Sequence, residues 1–250
     1  MAVYDAVITD MHDHYDRDLT FRRIIAESSN VGMVLAARKV DNADLYKTYR
    51  AFGFGKNPKT DFPGVSAGQL EEISDWDGVQ EANITFGQGL FATGLQVVRA
   101  YGALEQRGIL RTPHFLVDVV GDAEATAKTT AGFKKTSKAV SRKVSNTVTS
   151  MLKSVVSSGT GVEAAIEGFS VAGKTGTAEV VGDNGRYGDS TILSFCGWLD
   201  GSSSDLVCLV TMEGADASAE SGEACGGVFK EIMEFSIDRY QIYPDSQEGK

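Results

Sequence analysis

The chain has 250 residues and a formal charge of −10 at pH 7, from 24 basic and 34 acidic side chains. Hydrophobic residues make up 42% and charged residues 23%, a composition typical of folded globular proteins that excludes global disorder. The acidic excess argues against nucleic acid as a partner, because phosphate binding needs a cationic surface. The sequence contains no apolar run of about 18 residues and no signal-peptide pattern, so neither a transmembrane helix nor a targeting segment is predicted.

The first part of the chain is predicted to be mainly helical. Periodicity and capping residues predict a strand at 4–9, helices at about 19–27, directly after Ser28-Ser29-Asn30, at about 43–52 and at about 94–106, a strand at 114–120 and an amphipathic helix at about 145–157. Residues 53–92 are expected to be mostly loop. The lysine-rich segment 121–145 is expected to be a solvated insertion.

The last third is predicted to be a small antiparallel sheet closed by a helix. Strands are expected near 169–181, 191–199 and 206–213, and the closing helix at about 226–239. Tight turns join the strands directly, which requires antiparallel pairing. Helices gathered before and after such a sheet predict the α+β class.

Residues 168–175, Gly-Phe-Ser-Val-Ala-Gly-Lys-Thr, fit the G-x-x-x-x-G-K-[ST] pattern of P-loop NTPases. A phosphate-binding loop of this kind leaves a buried strand and opens a helix, so that its amide groups face the phosphates. Here residues 162–167 are predicted helical, and residues 176–181 are predicted to be a strand that enters a hairpin. The structural context of an NTPase is therefore not expected.

The same segment contains Lys174-Thr-Gly-Thr177 on a predicted strand, the K-T-G pattern of penicillin-binding proteins and class A β-lactamases. A lysine on an accessible strand supplies a positive charge for a substrate carboxylate. Gly173 and Gly176 are expected to let a substrate backbone approach the strand edge, where a peptide can add as an extra strand. Ser28-Ser29-Asn30 lies upstream in the S-x-N form, and the order of the two motifs favours this second interpretation.

With these motifs the chain resembles the transpeptidase domain of class B penicillin-binding proteins, the enzymes that cross-link the bacterial cell wall. Further stretches follow the order of that family over nearly the whole chain: Leu19 to Gly32, Phe52-Gly-Phe-Gly55, Phe86-Gly-Gln-Gly89, Thr93-Gly-Leu-Gln96, Gly159-Thr-Gly161 and Ala172 to Ala178. The resemblance implies an antiparallel sheet flanked by helices, with a helical subdomain. Residues 1–250 are then a partial transpeptidase domain, with its helical part at about 19–157 and its sheet and closing helix at about 165–240.

The resemblance also implies roles for individual residues. In this family a serine attacks the D-Ala-D-Ala amide of a peptidoglycan stem peptide, and an amine of a neighbouring strand then takes the acyl group. Ser28 matches the serine that relays a proton to the leaving amine, and Asn30 matches the asparagine that hydrogen-bonds the acyl side. Lys174 and Thr175 match the pair that binds the substrate carboxylate. Gly176-Thr177 completes the substrate-binding strand, with the Thr177 N–H as an oxyanion-hole donor.

The family's nucleophile, the serine of an S-x-x-K motif before S-x-N, has no counterpart in residues 1–27. The only S-x-x-K here is Ser150-Met-Leu-Lys153, on a predicted helix whose apolar face is Val148, Met151, Leu152, Val155 and Val156. Ser150 and Lys153 are expected on the opposite, solvated face, so the match is interpreted as chance. No nucleophile is assigned. The N-terminal segment that bears it is expected to be absent, and this chain alone to be inactive.

The expected ligands are peptidoglycan stem peptides and β-lactam antibiotics, with cell-wall synthesis proteins as partners and no cofactor or nucleic acid. The parent protein is expected at the extracellular or periplasmic face of the cell membrane, anchored outside this chain. No metal site is assigned, because His12 and His14 lie among aspartates in a segment without apolar residues to fix ligand geometry. Alternatives are a non-catalytic binding module of the same fold, a β-lactamase-like hydrolase and the P-loop NTPase.

The cysteines are odd in number and lack the spacing of a zinc site: Cys196, Cys208 and Cys225. If residues 200–205 form the turn between the last two strands, Cys196 faces Leu209 and Gly197 faces Cys208. Side chains alternate along a strand, so these two thiols would lie on opposite faces of the sheet. Free thiols are therefore predicted.

Overall fold

The structure is a computed structural model, and it describes residues 1–4, 6–10, 18–117, 120–121, 124, 135–181, 187–215 and 219–245. It begins with a short antiparallel hairpin of β1 (Ala2–Val3) and β2 (Ala6–Val7). The predicted single strand at 4–9 is wrong, because the backbone turns at Tyr4, which has a φ of 52°. The hairpin contributes Val3 to a small apolar cluster that also contains Val34 and Ala82.

Three helices follow: α1 (Phe21–Ala26), α2 (Asn30–Ala37) and α3 (Asn42–Ala51). Each begins after a side chain that accepts a hydrogen bond from a first-turn N–H, and these caps are Thr20, Ser29 and Asp41. All three helices are confirmed. The structure assigns the cap of α2 to Ser29, so the hydroxyl of Ser28 is available for other contacts.

The stretch predicted to be mostly loop, residues 53–92, also contains a short helix. α4 (Gly78–Asn83) is flanked by two 3₁₀ turns at Ile73–Asp75 and Ile84–Phe86. Asp77 begins α4 by accepting hydrogen bonds from two N–H groups of its first turn. A helix of 6 residues is too short to display a helical period, which is why the sequence did not indicate it.

α5 (Gly94–Glu105) is confirmed, and Thr93 forms a capping box with Gln96 at its start. Gln96 is buried, and its Nε2 donates to the carbonyl oxygens of Lys56 at 3.1 Å and Ala67 at 2.8 Å. A single amide therefore ties the preceding loop to the beginning of this helix.

After α5, β3 (Ile109–Arg111) pairs antiparallel with β4 (Thr136–Lys138). Residues 122–123 and 125–134 of the lysine-rich segment at 121–145 lie outside the described residues, so the predicted solvation stays a prediction there. Its end departs from the expectation, because residues 136–138 are a strand that the sequence did not indicate.

The strand predicted at 114–120 is wrong for residues 114–117, which form no strand, and residues 118–119 lie outside the described part. The N–H groups of Phe115 and Leu116 donate to the carboxylate of Asp61 at 2.8 and 2.7 Å. A side chain of a distant loop therefore binds this apolar stretch in place of a neighbouring strand.

α6 (Arg142–Ser158) is the amphipathic helix predicted at about 145–157, and it begins earlier because Ser141 caps it. Leu152, Val155 and Val156 are buried, as the predicted apolar face requires, while Ser150 is exposed. The packing of α6 against the sheet places its apolar face in the core.

The predicted antiparallel sheet is confirmed, and its strands in order are β5 (Ser170–Val181), β6 (Tyr187–Asp200) and β7 (Val207–Ala215). The predicted register is confirmed too, since Cys196 lies opposite Leu209 and Gly197 lies opposite Cys208. β6 is central, so β5 is an edge of this sheet among the described strands.

A core lies on each face of the sheet. On one face, Phe195 packs against Phe229 of the closing helix α7 (Gly227–Tyr240), with ring centroids 4.8 Å apart. On the other face, Trp198 packs edge-on against Tyr101 of α5 at 6.2 Å. Helices cover both faces, and the α+β prediction is confirmed. Within the described residues, no helix combines the length and apolar character needed to cross a membrane.

The three thiols are free, as predicted. Cys196 belongs to the face of Trp198, whereas Cys208 packs into the core on the opposite face. Cys225 lies in a π-helical turn before α7 and is buried. Cys196 and Cys208 are therefore separated by the thickness of the sheet.

Candidate functional site

The S-x-N and K-T-G motifs meet at β5. Lys174 lies on this strand opposite Cys196 of β6. Its Nζ donates hydrogen bonds to Ser28 Oγ at 2.9 Å, to the Thr175 carbonyl oxygen at 3.0 Å and to Thr175 Oγ1 at 3.1 Å. The prediction that residues 173–181 form a strand beside Ser28-Ser29-Asn30 is confirmed.

Ser28 connects α1 to α2 with a φ of 57°, in the left-handed region that disfavours side chains with a Cβ atom. The hydroxyl of its neighbour Ser29 makes two hydrogen bonds. Ser29 Oγ accepts from the Gly32 N–H at 2.9 Å and donates to Asp10 Oδ2 at 2.8 Å. The cap of α2 thus holds Ser28 in a strained conformation, with an exposed side chain that contacts Lys174.

Thr160 is not among the predicted site residues, although it lies in Gly159-Thr-Gly161, one of the stretches that follow the order of the family. Its N–H donates to the carbonyl oxygen of Ala26 at 3.0 Å, and its Oγ1 lies 2.7 Å from Thr175 Oγ1. Thr160 therefore joins the end of α1 to the K-T-G strand. The packing behind it is tight, because a Cβ atom on Gly222 would lie 2.2 Å from the Thr160 carbonyl oxygen.

Asn30 lies close to Ser28 in sequence, but its side chain has a different partner. Its Nδ2 donates to the carbonyl oxygen of Thr9 at 3.1 Å. Within the described residues, Asn30 makes no hydrogen bond to Lys174 or Thr175. The structure therefore brings together Ser28, Lys174 and Thr175, and the substrate contact of Asn30 stays a prediction.

Thr177 continues the strand beyond Gly176, and its hydroxyl lies 3.2 Å from Ser221 Oγ. Ser221 is buried, and no motif in the sequence pointed to it. The contact fixes the Thr177 side chain against the turn before α7. The oxyanion role of the Thr177 N–H stays a prediction.

Side chains of β6 lie close to Gly173 and Gly176, and the role of these glycines in substrate approach stays a prediction. A Cβ atom on Gly173 would lie 2.4 Å from Phe195 Cζ, and one on Gly176 would lie 2.5 Å from Ser194 Oγ. Side chains of β6 already occupy the space that the glycines leave. The two glycines therefore allow close packing between β5 and β6.

The electrostatic environment of Lys174 is unusual for a lysine. Burial lowers its pKa from 10.5 to about 8, because the ammonium group loses solvation. Ion pairs in the described part of the chain join Arg23 to Glu27 and Lys153 to Asp200, and no carboxylate there pairs with Lys174. Near pH 8 this amine can therefore exist in both protonation states.

Ser150 and Lys153, the only S-x-x-K pair, have other partners. Ser150 Oγ accepts a hydrogen bond from Arg22 at 3.1 Å. Lys153 Nζ forms an ion pair with Asp200 at 2.5 Å. This geometry supports the interpretation of the motif as a chance match.

The P-loop interpretation is wrong. Residues 170–181 form β5, whereas a phosphate-binding loop requires a helix to begin directly after Lys174 and Thr175. The amide groups of a strand point to alternating sides and do not converge on a phosphate.

Metal ligation has no support in the described part of the chain. No group of three or more His, Cys, Asp or Glu residues there could hold a metal ion. His12 and His14 lie outside the described residues, so their predicted solvated loop stays a prediction.

Comparisons with known proteins give a consistent result. The sequence profile described as "Penicillin binding protein transpeptidase domain" matches residues 2–234. The probable peptidoglycan D,D-transpeptidase PenA of Neisseria flavescens is 30% identical over 241 residues, which cover 96% of this chain and 57% of that protein. The peptidoglycan D,D-transpeptidase FtsI of Escherichia coli is 31% identical, over 92% of this chain and 37% of that protein. The chain thus spans less than two thirds of each relative.

Solved structures agree with this result. The crystal structure of a putative peptidoglycan glycosyltransferase from Atopobium parvulum superposes with a TM-score of 0.83 at 30% identity, over 96% of this chain and 56% of that one. Penicillin binding protein 3 of Mycobacterium tuberculosis, complexed with aztreonam, superposes with a TM-score of 0.80 at 26% identity, over 94% of this chain and 54% of that one. Profile, relatives and fold agree over almost the whole sequence, so the chain belongs to the transpeptidase domain family of class B penicillin-binding proteins.

Proposed function

We propose that this chain forms the substrate-recognition side of a peptidoglycan D,D-transpeptidase site. The observation that carries the proposal is Lys174, a cation on an edge strand that no carboxylate of the described residues neutralises. Such a group is suited to bind the terminal carboxylate of a peptide that adds along the strand. Relatives named peptidoglycan D,D-transpeptidases support the D-Ala-D-Ala end of a stem peptide as that ligand.

In this proposal Lys174 and the Thr175 hydroxyl bind the substrate carboxylate. Thr160 orients the hydroxyl, since the two Oγ1 atoms lie 2.7 Å apart. Ser28 passes a proton from Lys174 to the leaving amine, a route that the 2.9 Å contact between them supports. The N–H of Thr177 donates to the oxyanion that forms on the scissile carbonyl.

Gly176 and Asn30 complete the proposed set. Gly176 belongs to the strand that the ligand extends, and it lets β5 pack closely against β6. Asn30 binds the acyl side of the substrate, for which its amide exchanges the Thr9 carbonyl for a substrate carbonyl. This exchange replaces one neutral hydrogen bond by another and costs little free energy.

Acyl transfer by the family route also needs an S-x-x-K nucleophile, and we assign none. Lys153 is paired with Asp200 and Ser150 is bound to Arg22, so neither group is activated. We propose that this chain alone binds stem peptides and β-lactams without transpeptidation. The same observation favours the second candidate, a non-catalytic module that binds peptidoglycan.

The proposed location of the parent protein follows from the proposed substrate. Peptidoglycan lies outside the cytoplasmic membrane, so we place the parent protein at the extracellular or periplasmic face, among cell-wall synthesis proteins. β-Lactams are proposed as ligands because a relative of similar fold was crystallised as a complex with aztreonam.

Isothermal titration with acetyl-D-Ala-D-Ala and with its C-terminal amide tests the proposal. The acid should bind, and the amide should bind about tenfold more weakly or not at all, since a charge-assisted hydrogen bond is worth about 1.4 kcal/mol or more. Lys174→Met should abolish this preference for the acid. Lys153→Met is the matched control and should retain it. Equal affinity for acid and amide would overturn the proposal.

A further inference from the structure

Two pairs of a serine and a lysine stand in contrast within the described part of the chain, and the structure favours the pair that lacks the S-x-x-K spacing. Ser150 and Lys153 have the S-x-x-K spacing, but Lys153 is paired with Asp200. Ser28 and Lys174 are 146 positions apart in the sequence, yet their Oγ and Nζ atoms lie 2.9 Å apart. Lys174 pairs with no carboxylate among the described residues, and the contact of a hydroxyl with such an amine is the geometry of a serine–lysine dyad.

The hydrogen bonds of Lys174 are compatible with a neutral amine that accepts a proton. A neutral amine has two N–H donors and one lone pair. The two donors can bind the carbonyl oxygen and Oγ1 of Thr175, at 3.0 and 3.1 Å. Thr175 Oγ1 can then donate its own hydrogen to Thr160 Oγ1, 2.7 Å away. The lone pair is left for the hydroxyl hydrogen of Ser28.

Ser28 is also placed like a nucleophile. Its side chain is exposed, so an acyl donor can reach the oxygen from solvent. Its backbone has a φ of 57° in the connection between two helices, and strain of this kind is concentrated at functional positions. Ser29, by contrast, is buried and bound to Asp10.

We propose that Ser28 is itself a nucleophile, with Lys174 as its general base, and that the dyad hydrolyses small uncharged esters. This activity goes beyond the proposed function, which gives Ser28 only a proton to relay. It needs no S-x-x-K serine.

The step balances as follows. The lone pair of Lys174 takes the hydroxyl proton of Ser28, and Oγ forms a bond to the ester carbonyl carbon. The bond from that carbon to the leaving oxygen breaks, and the alcohol departs with the proton from Lys174. Water then loses a proton to Lys174 and adds to the acyl carbon, and Ser28 Oγ leaves and takes that proton. Ester and water give acid and alcohol.

Uncharged esters are the expected substrates because a carboxylate would prevent the reaction. A carboxylate bound to Lys174 stabilises its ammonium form and raises its pKa. The lone pair is then protonated, so Ser28 loses its base. Peptides that end in a carboxylate should therefore occupy the site without acylating it.

The groups around Lys174 set the expected pH dependence. Glu27, next to Ser28, is paired with Arg23, and Cys196, opposite Lys174, is a thiol whose pKa burial raises. Burial lowers the pKa of Lys174 to about 8. Acylation should therefore rise through a single ionisation near that pH and level off above it.

The experiment uses p-nitrophenyl acetate with the full chain and reads nitrophenol release together with the mass of the modified peptide. One acetyl group per chain is expected on the peptide that contains Ser28. Ser28→Ala and Lys174→Met should each slow the burst by about a hundredfold. Ser150→Ala and Lys153→Met are the matched controls and should leave it unchanged. Circular dichroism checks that each variant is folded.

Ser28→Cys keeps a nucleophile at the same position and should retain acylation, which separates chemistry from misfolding. Acetyl groups found only on Lys174 or on Ser150, or an unchanged burst in Ser28→Ala, would overturn the inference.

Acetyl-D-Ala-D-Ala distinguishes the two proposals. If it slows acylation of Ser28, both are supported. If acylation occurs and the peptide neither binds nor protects, the inference stands and the proposed function fails. Peptide binding that depends on Lys174, without acylation of Ser28, supports the proposed function and overturns the inference.

Discussion

Lys174 Nζ lies 2.9 Å from Ser28 Oγ, although 146 positions separate the two residues in the chain. One residue belongs to the connection between two short helices and the other to the edge strand of the sheet. Thr160 braces this contact, because it hydrogen-bonds both to the end of α1 and to Thr175 beside Lys174. The site therefore depends on how the helical part docks onto the sheet.

Ser28→Gly should stabilise the fold relative to Ser28→Ala. Both variants lose the contact to Lys174, but only glycine adopts the φ of 57° without a Cβ penalty, which is worth about 1 kcal/mol. Urea unfolding of the two variants measures the difference. Equal stabilities would show that the left-handed conformation at this position is not held in solution.

A fluorescent penicillin should not label this chain covalently. The family nucleophile is absent from residues 1–27, and a penicillin carboxylate on Lys174 would keep the amine protonated and Ser28 unactivated. Gel fluorescence with an intact transpeptidase domain as positive control tests this. A stoichiometric adduct on Ser150 would contradict both the prediction and the interpretation of Ser150 and Lys153.

Lys174→Met should stabilise the fold at pH 7, with a gain that declines at higher pH. The pKa of Lys174 is lowered from 10.5 to about 8, so its charge opposes folding below pH 8. Between about pH 8 and 10.5 the unfolded chain binds more protons than the folded chain, and wild-type stability rises relative to the variant. Chemical unfolding of both proteins at pH 7, 8.5 and 10 measures this. A difference independent of pH would exclude the lowered pKa.

Gly222→Ala should destabilise the site as well as the fold. Its Cβ atom would lie 2.2 Å from the Thr160 carbonyl oxygen, so the backbone of Thr160 has to move, at a cost of about 1–3 kcal/mol. Gly227→Ala is the matched control, because a Cβ atom there meets nothing within 4 Å. Thermal unfolding should show a loss for the first variant and none for the second. Similar melting temperatures would contradict the packing around Thr160.

All three thiols should be titrated in the denatured, unreduced protein. Cys196 and Cys208 lie one step out of register and on opposite faces of the sheet, so a disulfide between them would require backbone movement. In the folded protein Cys208 should react first, because it is half-buried whereas Cys196 and Cys225 are buried. Burial raises the pKa of all three thiols, so accessibility sets the order. Fewer than three thiols per denatured chain would show that a disulfide forms.

The sequence by itself determined the order of the long elements and the register of the last hairpin. A strand of nine or more residues between turns of Gly, Asp and Ser can pair with its neighbour in only a few registers. The turn at 200–205 therefore predicts that Cys196 lies opposite Leu209, as the structure shows. The S-x-N and K-T-G motifs, taken with their order, also identified Ser28 and Lys174. Local periodicity and family resemblance suffice for such features.

Only the tertiary structure decided which groups touch. Three contacts depend on residues that lie far apart in the sequence. They are the hydrogen bond from Asn30 to Thr9, the contact of Thr160 with Thr175, and the packing of Phe195 against Gly173. The same holds for residues 114–117, where a strand is predicted but the N–H groups of Phe115 and Leu116 bind the carboxylate of Asp61. Sequence patterns record which face of an element is apolar. They do not record which distant polar group satisfies a given hydrogen bond, because that partner is chosen only when the elements pack.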